Sequence, residues 1–520
     1  MINRQFRKIS SEGIRVENLN GRKFLSVNPQ IIQKLATIAL HNVSYFLRSD
    51  HLDELAAVIE DPGASENERF VCRALVKNAI IAGEGQLPLC QDTGTATVFA
   101  WRGERVLTGG RDAEMIEAGI AQAWQDNCLR YSQVAATSMF DEKNTGTNLP
   151  AQIDISFAPG DEYHFLFMAK GGGSANKTVL HQGSRALLNE QAFASFLREK
   201  ISGLGVAACP PYTLVVVVGG TSPEQNLKTM KLASAGYYDN LPTSGDGSGS
   251  PFRDLFWEKR AREIAAETGW GAQFGGSHLV LDARVIRLPR HAGSCPVSLG
   301  VSCSAHRNIL GKITPEGAFI EELDRNPSRL LNKCLIEINQ IPAIDLDVSM
   351  PEILKQLAQF NAGQMVLLNG TMVVARDMAH ARLFEMASAG QPIPDYFKNH
   401  PVYYAGPAKT PAGYAIGSFG PTTAQRMDEY VDFFMGRQAS LVMLAKGNRA
   451  QSVVNACKNH GGFYLGTIGG AAALIAKENI LSSEVIDFAE LGMEAVHRIK
   501  VKNLPAFIIY DHQGNSLYNR

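Results

Sequence analysis

No two cysteines in the sequence form a Cys-x-x-Cys pair, although eight are present in 520 residues. That absence argues against a zinc ribbon and against the local ligand run of a ferredoxin. Thiols so few and so dispersed do not make a secreted disulfide scaffold, so they are expected to stay reduced and available as ligands. No two histidines lie at His-x-x-x-His spacing, which disfavours a helical zinc-hydrolase site. Neither G-x-G-x-x-G nor a P-loop pattern occurs, which disfavours NAD and ATP. No apolar run approaches the roughly 18 residues of a membrane span. The first residues, Met1-Ile2-Asn3-Arg4-Gln5-Phe6-Arg7-Lys8, have no apolar h-region behind their charges, so a cytoplasmic protein is the expectation. Net charge is also nearly nil, with 50 Lys plus Arg against 51 Asp plus Glu. Nothing therefore indicates a nucleic-acid or membrane-surface partner drawn by bulk charge, although local clusters can still hold small anions.

What is present is an ordinary globular composition, 45% hydrophobic and 19% charged. At about 100 to 200 residues per domain, two to four domains are expected. Residues 27 to 83 read as helix, with Ile31, Leu35 and Ile38 at helical spacing and a pause at Asp61-Pro62-Gly63. From Thr95 to Ile313, strand-like runs such as residues 151–157 and 214–218 alternate with helices and glycine turns; the second run is continuously apolar and suits a buried strand. Pro351 opens a helix after a mixed polar stretch, which places a domain boundary near residues 335 to 350. Beyond it, strands are expected at 364–369, 371–375, 441–444 and 506–510, most of them separated by helices. The prediction is an α/β chain of two units, residues 1–340 and 341–520.

Chemistry concentrates in loops. Cys90-Gln91-Asp92-Thr93-Gly94-Thr95 places a thiol, an amide, a carboxylate and two hydroxyls around a glycine, a set able to bind a soft metal centre and move a proton. Alone, the same composition favours an ordinary turn over a site. Cys209, Cys295 and Cys303 also sit among Gly, Pro or Ser, whereas Cys72, Cys334 and Cys457 lie in helix-like or core-like settings and read as structural; Cys128 is ambiguous. A metal site, if present, must be assembled over long range. Gly171-Gly172-Gly173 follows a strand and could offer backbone N–H groups to a carboxylate, or simply turn tightly. Arg376, Arg426 and Lys446 occupy loops after strands or a glycine turn. Converging at the ends of one sheet, they would clamp carboxylates, which guanidinium groups bind as a fork.

These residues carry a resemblance that covers nearly the whole chain. The stretches 89–95, 144–150, 169–177, 208–212, 287–291, 301–304, 404–409, 420–428 and 444–449, in this order, resemble class I fumarate hydratase, the iron–sulfur hydro-lyase family. The resemblance implies an N-terminal α+β cluster-binding domain, a C-terminal mobile β/α domain, an active site between them and a homodimer; some members carry the halves as separate subunits. It further implies a [4Fe-4S] cluster on Cys90, Cys209 and Cys303, with Cys295 a neighbour. Three thiolates are one short of the usual four, so one iron would keep an open position for substrate oxygen and act as a Lewis acid. Gln91, Arg130, Gly173, Arg376, Thr423, Arg426 and Lys446 are implied to contact a small dicarboxylate. Thr422 is the implied base at carbon, and Asp92 and His291 the implied handlers of the hydroxyl proton; outside the family, His291 would read as a turn-stabilising imidazole.

The chain departs from the family at Gln425, where the pattern Gly-Pro-Thr-Thr-Ala-Gly-Arg carries glycine. A larger side chain there would reshape the pocket and shift selectivity among fumarate, mesaconate and tartrate, or point outward without effect. Two other function classes make different demands on the residues. An electron-transfer or iron-sensing protein calls for a fourth ligand or a basic surface, and a zinc hydrolase calls for the missing histidine pair.

Overall fold

The computed structural model describes residues 4–335 and 340–518. They form a mixed α/β fold of three main sheets with helices packed against them. Among the described residues no helix is long and apolar enough to cross a membrane.

The expected helical stretch is three helices, Pro29–Tyr45, Ser49–Glu60 and Glu66–Ala82. Proline at the start and an Asn28 side chain that accepts the Gln30 N–H begin the first. A reciprocal Ser65–Glu68 capping box begins the third, after the pause at Asp61-Pro62-Gly63. Three N-terminal strands, Phe6–Ser10, Ile14–Leu19 and Arg22–Val27, were not anticipated. Their half-exposed pattern gives little signal, and the first finds its partner, Gly317–Glu321, only far down the chain.

Six strands make the first sheet, in the order Phe6–Ser10, Gly317–Glu321, Asn308–Thr314, Tyr163–Lys170, Thr95–Gly103 and Gln152–Ala158. The second has five, ordered Val179–Gly183, Cys295–Ser302, Tyr212–Gly220, Val280–Arg290 and Phe252–Arg253. Its central strand, Tyr212–Gly220, is buried at every position, as a continuously apolar run requires.

In the third sheet, Ala343–Asp345, Met365–Val374, Val402–Tyr403, Val442–Ala445 and Phe463–Gly466 run parallel. Val496–Tyr510 continues it antiparallel and also pairs back onto Met365–Val374, which closes five strands into a ring. The strands expected at 364–369 and 371–375 are therefore a single one. Gly370, at φ +123°, absorbs a register shift after Leu368 and lets the ladder continue.

One hydrophobic core joins the second and third helices to this last sheet. The Phe507 ring stacks on Phe274 at 3.9 Å and meets Phe70 edge-on at 6.0 Å. Asn78, in the third helix, accepts the N–H groups of Ala473 and Leu474 at 2.8 and 3.0 Å and donates to the Leu89 carbonyl at 2.9 Å. The segment before Cys90 is thus anchored from both ends of the chain. The boundary expected near residue 340 falls beside residues 336–339, outside the described residues.

Candidate active site

The Cys90 loop is held rigidly by its own small residues. Gly94 adopts φ +83°, and a Cβ there would come within 2.8 Å of the Lys170 backbone, so the loop lies directly on the end of strand Tyr163–Lys170. Thr93 Oγ1 donates to the Arg130 carbonyl and accepts the Arg130 N–H, both at 3.0 Å. Asn148 Nδ2 donates to the Gly94 carbonyl at 3.1 Å. Asp92 is aimed by these contacts: Oδ2 accepts the Gly172 N–H at 2.9 Å and Oδ1 stands 3.4 Å from Arg130 Nη2. Gln91 reaches the other half of the chain, donating from Nε2 to the Pro421 carbonyl at 3.0 Å.

Opposite this loop, the carboxyl ends of the parallel strands present their following residues. Met365–Val374 leads to Arg376, and Val442–Ala445 leads to Lys446. The loop at 421–424 is laced to both neighbours: Thr422 N–H donates to the Tyr404 carbonyl at 2.8 Å, Lys446 N–H to the Thr422 carbonyl at 3.2 Å, and Ala424 N–H to the Lys446 carbonyl at 3.0 Å. The crevice outside the carboxyl ends of parallel strands is where open α/β sheets bind ligands. Thr422 is buried, and its Oγ1 accepts a hydrogen bond from the Arg426 guanidinium.

These loops enclose a cavity of about 430 Å³. Gln91, Asp92, Arg130, Gly173, Arg376, Thr422, Thr423, Gln425, Arg426 and Lys446 all line it. Sequence reasoning missed Lys177, which lines it too, and the acids Glu494 and Asp377, which pair with Arg376 and with Arg426. Burial, helped by the Arg130 charge, lowers the Arg376 pKa to about 10, and burial raises that of Glu494. Burial also works against the Asp92 carboxylate, but Arg130, Arg307 and Lys446 outweigh it and hold Asp92 below the usual carboxylate range.

The thiols adjoin the cavity through Lys446, whose Nζ lies 2.8 Å from Cys209 Sγ. Burial pushes the Cys90 thiol up to about 11 and raises Cys209 as well, and the neighbouring thiols add to both shifts. Burial disfavours the Lys446 ammonium, yet Cys209, Cys90 and Asp92 outweigh it and raise its pKa. The Ser304 N–H, next to Cys303, donates to the Cys209 carbonyl at 3.1 Å and sets those two loops side by side. Among the described residues, however, no three His, Cys, Asp or Glu side chains gather tightly enough to hold a single ion. Cys209 itself sits at φ +61°. Gln273 ties its loop to the end of the third sheet, donating to the carbonyls of Pro210 and Gly469, both at 2.9 Å. A Cβ on Gly469 would stand 2.3 Å from Cys209 Sγ, so only glycine leaves that sulfur its place. Cys295 packs in the core of the second sheet, and Cys72, Cys334 and Cys457 are buried in helical segments.

Residues 33–312 match the family described as "Fumarate hydratase (Fumerase)", and residues 317–520 match "Fumarase C-terminus". The chain is 52% identical over 520 residues to Fumarate hydratase 2 of Leishmania major, covering 99% of this chain and 92% of that protein. It is 50% identical to "Fumarate hydratase class I, anaerobic" of Escherichia coli K12, over all of this chain and 95% of the relative. The aerobic class I enzyme of the same organism is 50% identical over 98% of this chain and 94% of its own.

The chain belongs to the class I fumarate hydratase family. As a member of it the chain is a hydro-lyase, and the residues expected to contact substrate, with Asp92 and Thr422, all line this one cavity from its two sides. Among the expected catalytic residues, His291 is the exception. It lies exposed in the turn between strands Val280–Arg290 and Cys295–Ser302, where its Nδ1 accepts the Gly293 N–H at 3.1 Å, and it is not among the residues lining the cavity. Within one chain its geometry is that of a turn-stabilising imidazole. Gln425, the departure from the family pattern, is exposed and lines the cavity.

Because a methyl group at Gly94 meets backbone rather than a flexible side chain, Gly94→Ala is expected to lower stability by about 1–3 kcal/mol, read from the urea midpoint. The displaced Asp92 should also cut hydro-lyase turnover. A wild-type midpoint together with wild-type turnover would contradict the packing described.

Proposed function

We propose that this hydro-lyase catalyses the reversible hydration of fumarate to (S)-malate, in a site built from residues of both halves of the chain. The observation that carries the proposal is the charge of the cavity: Arg130, Lys177, Arg376, Arg426 and Lys446 line it with Asp92 as the acid among them. A dicarboxylate supplies the negative charge that such a set lacks.

Three thiols on adjoining loops, with no three ligands among the described residues gathered tightly enough for one ion, fit a cluster better than a mononuclear metal. Gly469, lacking a Cβ, leaves room beside Cys209 Sγ that any other residue would fill. We therefore assign a [4Fe-4S] cluster to Cys90, Cys209 and Cys303; when bound, it would supply a Lewis-acidic iron with one position free of cysteine. Arg130, Arg376, Arg426 and Lys446 would bind the two carboxylates, with Gln91, Thr423 and the Gly173 backbone completing the contacts. In the hydration direction the ionised Asp92 takes a proton from the adding water. The Thr422 hydroxyl, held against Arg426, delivers one to the neighbouring carbon, and the adjacent guanidinium favours the alkoxide left behind. His291 receives no role within the chain, since it stands outside the cavity.

The wider arrangement proposed is an N-terminal cluster domain, residues 1–340, a mobile C-terminal β/α domain, residues 341–520, and a cytoplasmic homodimer.

Anaerobically purified protein is expected to be brown, to generate the ultraviolet absorbance of an unsaturated diacid from malate, and to lose that activity in air; a colourless active protein would rule the cluster assignment out. Exposed at the cavity wall, Gln425 is placed to meet a substituent on the diacid. Gln425→Gly should therefore change the kcat/KM ratios among fumarate, mesaconate and tartrate, and unchanged ratios would remove Gln425 from selectivity.

A further inference from the structure

Four arginines of the described chain are buried, and three of them face a carboxylate. Arg48 pairs with Glu321 at 2.8 Å, Arg449 with Asp428 at 2.7 Å, and Arg376 with Glu494. Arg307 is the fourth. It is 7% exposed, its Nε has no hydrogen-bond partner, and among the described residues no carboxylate lies within ion-pairing distance of it. A guanidinium cannot shed its charge, so burying one without an anion is costly unless an anion arrives from elsewhere.

The position of Arg307 indicates which anion. Four residues beyond Cys303, it is fixed by its carbonyl, which accepts the Ala169 N–H at 3.1 Å. Its guanidinium stands at Gly171: a Cβ on that glycine would lie 3.4 Å from Arg307 Nη2 and 2.8 Å from Asp92 Oδ2. Asp92, whose carboxylate Arg307 helps to keep ionised, is bonded instead to the Gly172 N–H and paired with Arg130. The loop of Arg307 also carries Cys303, and the Ser304 N–H beside that thiol donates to the Cys209 carbonyl at 3.1 Å. Lys446 Nζ lies 2.8 Å from Cys209 Sγ.

We propose that Arg307 is the fixed counter-cation of the cluster assigned to Cys90, Cys209 and Cys303, its guanidinium compensating the negative charge that three thiolates bring into a buried site. The inference rests on the cluster reading of those thiols. Arg307 is a positioning residue, acting on the substrate only through the cluster. Donors and positive charge around cysteine sulfur strengthen ligation and raise the reduction potential.

The test compares Arg307→Met and Arg307→Lys with wild type, each reconstituted anaerobically with iron and sulfide. Circular dichroism reports the fold, chelator-driven iron release reports retention, and a redox titration followed by electron paramagnetic resonance reports the potential. The methionine variant is expected to release iron about 10- to 100-fold faster and to show a more negative midpoint potential, with lysine restoring most of both. If the methionine variant does not fold, the same comparison between Arg307→Gln and Arg307→Lys reads the charge alone. A neutral variant with wild-type release rate and potential overturns the proposal, and so does a lysine variant as impaired as the neutral one. Wild-type protein that takes up no iron sinks the cluster reading and the Arg307 role together, a result distinct from either of those.

Discussion

Arg130, Lys177, Arg376, Arg426 and Lys446 face one cavity with Asp92 as the acid among them, so mutual repulsion between partly buried cations is the constraint the surrounding structure has to answer. It is answered residue by residue. Glu494 neutralises Arg376, Asp377 lies 3.2 Å from Arg426, and the Cys209 sulfur receives Lys446. Each partner comes from a different segment of the chain. Removing one partner from a buried pair costs about 3–5 kcal/mol, because the remaining charge is stranded. The cavity is therefore a place where the fold holds positive charge ready, as the proposed dicarboxylate would require.

The topology supplies the rigidity this needs. Parallel strands deliver Arg376 and Lys446 from their carboxyl ends in register, and the bridge from residue 423 to 446 ties the threonine loop to the same edge. Closure of the third sheet through Met365–Val374 and Val496–Tyr510 fixes those strand ends relative to one another. From the opposite side, Gly94, Thr93 and Asn148 lock the Cys90 loop, while Ser418 Oγ donates to the Pro88 carbonyl at 2.5 Å and joins the two walls just before the thiol. Fixed donors and charges need no reorganisation when charge develops during reaction, which is the usual source of catalytic stabilisation.

Much of the site was legible in sequence because its residues sit in short loops with compositions that helices and strands do not use. Cys90, Asp92 and Gly94 fall within one hexapeptide, and Arg376 and Lys446 follow clear apolar strands. Residues whose importance depends on a partner were not legible. Glu494 and Asp377 look like ordinary surface acids until the fold brings them to arginines, and Arg307 differs from other arginines only in lacking a carboxylate once buried. The single strand Met365–Val374 was divided in two at Gly370, since glycine inside a strand pattern marks a bulge as readily as an end. His291 shows the reverse case: a motif residue whose position in an exposed turn does not bring it to the cavity of its own chain.

The central claim is that Cys90, Cys209 and Cys303 hold a cluster in which one iron lacks a cysteine and meets the substrate. Mössbauer spectroscopy of protein reconstituted with iron-57, recorded with and without a dicarboxylate, tests it most directly. The account predicts that one iron site changes its isomer shift and quadrupole splitting when the dicarboxylate binds, while the cysteine-held sites do not. Spectra in which every iron is equivalent and indifferent to the dicarboxylate would contradict it.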